Sequence, residues 1–82
     1  MVKIGSWEIE TPIDIGVSWY ESDGSTIVEL IDLKNPPHTV LETIVLRSGA
    51  IRKIWGMSQN INIKVDTKSK RIVVERRKGG KR

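Results

Sequence analysis

The sequence predicts a mainly β fold, a small antiparallel sheet or barrel-like meander with a C-terminal β-hairpin, and two observations predict it. Ile, Val and Thr supply 25 of the 82 residues, against one alanine and four leucines. β-Branched side chains lose rotamer freedom in a helix and pack well on a pleated surface. The second observation is a period-two alternation of apolar residues in short runs separated by turn chemistry, the pattern of half-buried strands.

In the first run Ile4 is out of phase with Trp7 and Ile9, so Gly5-Ser6 is read as a bulge that resets the register. Thr11-Pro12 then introduces Ile13, Ile15, Val17 and Trp19, which alternate with Asp14, Gly16 and Ser18 and are expected on one buried face. Ser22-Asp23-Gly24-Ser25 is a turn, and TIVELIDL at 26–33, apolar on both parities, predicts a central strand buried on both faces. Asn35-Pro36-Pro37 ends it, because proline removes a donor and restricts its predecessor.

Residues 38–57 carry two conflicting signals. Thr39 and Glu42 have capping-box spacing, Val40, Leu41, Ile44 and Val45 share a helical face, and Gly49 sits at a helix stop, which gives the alternative of an α+β fold with one or two helices here. The β-branched density of TVLETIVL and the turn-like RSGA before IRKIW favour a hairpin instead. From Asn60 the alternation resumes: Ile61, Ile63 and Val65, a TKSK turn, then RIVVERR with Ile72 and Val74 in the same core. Lys64, Arg71 and Arg77 fall on the outer face with Lys68 and Lys70 at the turn, so the hairpin reads as a basic ribbon. Residues 1–77 are taken as one domain and 78–82 as a flexible basic tail, because an 82-residue chain has no room for a second core and KGGKR holds two glycines.

The net charge of +4 conceals a larger asymmetry. Up to Leu46 there are two basic against eight acidic side chains, and after it twelve basic against two acidic. Such a field draws polyanions to one end of a molecule. No apolar run approaches the roughly 20 residues of a membrane span, and MVKIGSWEIE lacks the basic start and apolar core of a signal peptide, so a cytoplasmic location without membrane contact is expected. The absence of cysteine and the scarcity of Asn and Gln, beside twelve isoleucines, fit a thermophilic source.

Catalytic chemistry finds no support in the residues. His38 is the sole histidine and has no cysteine or second histidine to complete a metal site or a nucleophile–base pair. Glu8 and Glu10 lie opposite the Trp7 and Ile9 face and read as solvated surface rather than as an acid–base pair. No glycine spacing matches a phosphate-cradling loop, and Asp23-Gly24 lacks the ligand series of a calcium loop. The expectation is a non-enzymatic protein without a cofactor or metal.

Among the aromatics, Trp7 and Trp19 are in phase with core isoleucines, and Tyr20 is on the opposite parity beside Glu21. Trp55 has two readings. It is first a core plug beside Ile51 and Ile54, and alternatively a stacking ring in a surface of Arg52, Lys53, Trp55, Asn62 and Lys64 that contacts phosphates and unpaired bases. The expected function is nucleic-acid binding, RNA or ribonucleoprotein rather than a defined DNA sequence, with phosphate contacts from Arg71, Arg76, Arg77, Lys78, Lys81 and Arg82 flanked by Lys64, Lys68 and Lys70. The alternative is an assembly module of a ring, viral tail or complex, in which acidic and basic halves of successive copies, or of a protein partner, meet head to tail.

Overall fold

A computed structural model, which describes residues 1–56 and 61–77, resolves eight strands and no helix among those residues: β1 Val2–Ile4, β2 Trp7–Glu10, β3 Ile15–Ser22, β4 Ser25–Asp32, β5 Val40–Arg47, β6 Ala50–Gly56, β7 Ile61–Asp66 and β8 Arg71–Arg76. They form two four-stranded sheets, in the orders β1-β2-β8-β7 and β3-β4-β5-β6. The mainly β class follows the composition. The small, mainly antiparallel sheet structure and the C-terminal β7–β8 hairpin are as expected, divided between two sheets; β2 pairs with β8 in parallel, and every other pairing among the described residues is antiparallel.

The second sheet is a true meander, and its turns explain why. Asp23 and Gly24 have φ of 52° and 78°, and Ser48 and Gly49 have 53° and 78°. Two consecutive positive-φ residues between strands match the right-handed twist of the flanking pair, which is why Asp-Gly and Ser-Gly close two-residue hairpins here. The same Gly49 that marks a helix stop in the sequence therefore serves the hairpin, and no helix forms in the described part of 38–57. Gly5-Ser6 is likewise a two-residue turn, with Ile4 opposite Trp7 and Gly5 at φ 60°, rather than a bulge. At the β7–β8 turn Asp66 Oδ1 accepts from the Lys68 and Ser69 amides, and Lys70 supplies the left-handed residue that closes it.

The two sheets share one core. Ile4, Trp7, Ile9, Ile61, Ile72 and Val74 from the first meet Ile15, Val28, Leu30, Ile44 and Leu46 from the second. Ile9, Val28, Leu30, Ile44 and Ile72 are fully inaccessible, and each contributes on the order of 1.5–3 kcal/mol through burial. Ile9 and Ile72 are opposite one another in the parallel β2–β8 pair, so that pairing is fixed by the core it completes.

Three core expectations fail, one ahead of a strand and two on edge strands. Ile13 is 99% exposed because β3 starts only at Ile15, after a turn in which the Ile15 amide donates to the Pro12 carbonyl. Trp19 keeps the predicted inward parity, opposite Val28, yet is 46% exposed because β3 is an edge strand. Val65, on edge strand β7, is exposed for the same reason. β4 is central as expected, but only its Val28 and Leu30 face is fully buried, while Ile27 and Ile31 on the other face are half-buried.

Candidate nucleic-acid interface

The outer face of the second sheet is built from two cross-strand rows. Tyr20, Ile27, Val45 and Lys53 stand opposite one another, and so do Ser18, Glu29, Thr43 and Trp55. The row between them, Trp19, Val28, Ile44 and Ile54, points to the core, so strand alternation sends Tyr20 and Trp55 outward. Trp55 is 53% exposed and is not the core plug its isoleucine neighbours suggest. The Lys53 ammonium lies 5.4 Å from the centre of its ring, within cation–π range. Arg52 is the extra residue where the β5–β6 register shifts, and it is exposed on this edge. Tyr20, half-exposed at the far edge of the same face, escapes a sequence reading because only the strand register joins it to Trp55.

Asn62 and Lys64 do not join this surface. They alternate with the core-facing Ile61 on β7 and therefore lie on the outer face of the other sheet. There the ribbon is a ladder of opposite charges. Lys64 pairs with Glu75 at 3.3 Å and Arg71 with Glu10 at 3.6 Å, the latter made possible by the parallel β2–β8 pairing that sets Arg71 beside Glu8. Both pairs are exposed and add at most about 1 kcal/mol each to stability, but they offset the field the basic ribbon was expected to project.

Arg76 turns inward, on the same parity as Ile72 and Val74. Its guanidinium spans Asp32, with Nη2 3.4 Å from Oδ1, and the Asp14 carboxylate, 3.0 Å from Nε but out of line for a hydrogen bond. Asp32 Oδ1 also accepts from the Lys34 amide, which holds its carboxyl below the usual range, with Asn35 and the Arg76 charge acting the same way and desolvation opposing. Arg76 thus ties the end of β8 to the start of β3 and the end of β4.

That tie defines two ends of the molecule. Trp55 and Gly56 close β6 opposite Thr43 and Glu42, at the end where β8 finishes at Arg76 and exposed Arg77 follows. Lys78, Lys81 and Arg82, which follow Arg77 in the sequence, and Asn60 lie outside the described residues. Lys68 and Lys70 are at the opposite end, where Lys70 Nζ donates to the Gly49 carbonyl and sits 5.5 Å from the Trp7 ring centre. A cleft of about 300 Å³ opens at this second end between Trp7, Trp19, Glu21 and Arg47. Its charged groups are engaged: Arg47 Nη1 donates to the Asp23 carbonyl and Glu21 accepts from Thr26.

Among the described residues no group of His, Cys, Asp and Glu is arranged to hold a metal ion, and no helix is long and apolar enough to cross a membrane. No protein-family model, curated protein or solved structure matches the chain, so its function is argued from these residues alone.

Proposed function

We propose that the chain is a non-enzymatic nucleic-acid-binding domain that takes single-stranded RNA in preference to a defined duplex DNA sequence. The observation that carries this reading is the half-exposed Trp55 with Lys53 over its ring, at the end from which the basic C-terminus departs. An unpaired base stacks on the indole, a contact worth about 1–3 kcal/mol in single-strand binders, while Arg52 and Lys53 neutralise the adjacent phosphates and Arg77, past the end of β8, meets a phosphate further along the strand. Lys78, Lys81 and Arg82, which follow Arg77 in the sequence, add further phosphate contacts. Reading the DNA major groove calls for an inserted helix or a paired ribbon, and neither the ladder of ion pairs on the β7–β8 ribbon nor the all-strand architecture favours that mode.

The head-to-tail alternative draws less support, because Glu10, Asp14, Asp32 and Glu75 find basic partners within one chain. A fluorescence titration of the full chain with oligouridine and with duplex DNA tests the proposal. Salt-sensitive quenching by the single strand that disappears in Trp55→Phe is expected. Quenching of equal size in Trp55→Phe would place the contact elsewhere, and no binding at low salt would end the reading.

A further inference from the structure

Among the described residues four strands lie at sheet edges, and three carry the features that keep edges from pairing. β1 has three residues and bears Lys3, β6 is bulged at Arg52 beside Lys53, and β7 carries Lys64 and Asp66. β3 carries one charged side chain, Glu21, next to its last residue, and none of the other protections. It runs eight residues, Ile15–Ser22, in unbroken register with β4, without lysine, arginine, proline or bulge.

The open side of β3 has a defined hydrogen-bonding pattern. The Ile15 amide donates to the Pro12 carbonyl and the Ile15 carbonyl accepts from Thr11 Oγ1, so both groups point away from β4. In an antiparallel pair this orientation alternates, which leaves the amides and carbonyls of Val17, Trp19 and Glu21 on the open side. Large apolar side chains cluster along the same edge: Trp19 and Tyr20 toward one end, and toward the other Ile13 and Leu33, whose segments are joined by the bond from the Leu33 amide to the Asp14 carbonyl.

We propose that β3 pairs antiparallel with β3 of a second copy of this chain about a two-fold axis at Ser18, forming a continuous eight-stranded sheet. The edge is self-complementary in this register. Val17 and Trp19 of one copy meet Trp19 and Val17 of the other in two reciprocal hydrogen-bonded pairs. Tyr20 stands opposite Gly16, over which the Leu33 side chain lies so closely that an added Cβ would approach it to 3.1 Å. The ring thus packs against Leu33, itself 44% exposed, which already covers the glycine. The two Glu21 side chains fall at opposite ends, about 20 Å apart at the rise of a strand. A shift that centred the pair on Trp19 would instead set Val17 against Glu21, which argues for the Ser18 register.

This interface does not rest on the nucleic-acid reading, although it covers Tyr20 at the edge of that face, and high salt separates the two, because it weakens polyanion bridging while strand pairing and apolar contact persist. At high salt and submillimolar concentration the wild type should sediment at twice its 9.3 kDa mass, and Ser18→Lys, which opposes two ammonium groups at the axis, should return it to one. Because the native chain has no cysteine, Ser18→Cys gives a second reading: the two thiols face one another across the axis, within disulfide reach, and should oxidise to a covalent dimer. Ser22→Cys, displaced along the strand, should not. A wild type that stays monomeric, or Ser18→Cys that crosslinks no faster than Ser22→Cys, would overturn the proposal.

Discussion

Trp55 and Trp19 are both half-exposed, but for different reasons, and the difference sets what each substitution does. Trp19 faces the core side at an open edge, whereas Trp55 faces outward under Lys53. Trp55→Ala should weaken single-stranded RNA binding by about 5- to 150-fold, the equivalent of one stacked base, and leave the thermal midpoint nearly unchanged. A melt run beside the titration separates the two effects. Ile44 and Ile13 make the matching contrast for stability. Ile44→Ala removes a fully buried side chain and should cost about 2–5 kcal/mol, while Ile13→Ala at a 99% exposed site should stay within about 0.5 kcal/mol in chemical denaturation. Equal losses at both positions would mean that Ile13 is buried in the molecule that populates solution.

At the scale of elements, the strands and hairpin turns of the second sheet are legible in the sequence because each is a local event. Asp23-Gly24 and Ser48-Gly49 announce their own backbone conformation, and the β-branched residues of β5 outweigh a capping-box spacing that occurs there without a helix. What is not legible is the partner of β2. Its parallel union with β8 joins residues more than 60 positions apart, and from that pairing come the Glu10–Arg71 bridge and the loss of the basic ribbon. The site divides in the same way. The exposed ring beside Arg52 and Lys53 is a local feature of one strand, but the contribution of Tyr20 and the exclusion of Asn62 and Lys64 depend on sheet membership. The β7–β8 turn carries a prediction of its own. Amide and hydroxyl bonds from Ser69 and the Lys68 amide hold the Asp66 carboxyl below its ordinary value. A depressed folded-state pKa makes its contribution fully present above the unfolded value near about 4 and lost as pH falls through the folded one. Melting temperature should therefore be level from neutral pH down to mild acid and fall in stronger acid. Asp66→Asn should shrink that acid-induced fall, and an unchanged pH profile in the variant would remove Asp66 from the account.

For the whole molecule the charge asymmetry of the sequence is largely folded away. Of fourteen Lys and Arg, Lys78, Lys81 and Arg82 follow residue 77, so the body carries eleven basic against ten acidic side chains. Arg76 is committed to Asp14 and Asp32, Arg71 to Glu10 and Lys64 to Glu75, which leaves Arg52 and Lys53 as exposed cations on the Trp55 strand and Arg77 as the exposed cation that follows β8. If nucleic-acid affinity came from the body as a uniform basic surface, removing the last five residues would change it little. If it comes from one stacking ring with a few flanking cations and the basic terminus, truncation after Arg77 should remove up to three phosphate contacts. For a single strand the logarithm of affinity against the logarithm of salt changes by about 0.7 per phosphate neutralised, so the slope should flatten by about 2. Charge reversal at Lys64 and Arg71 separates the two pictures further. Those side chains are balanced by Glu75 and Glu10 on the opposite face of the sandwich, and Lys64→Glu with Arg71→Glu should leave the slope where it was. A slope that responds to the β7–β8 face and ignores the terminus would return the binding surface to the ribbon and remove Trp55 from its centre.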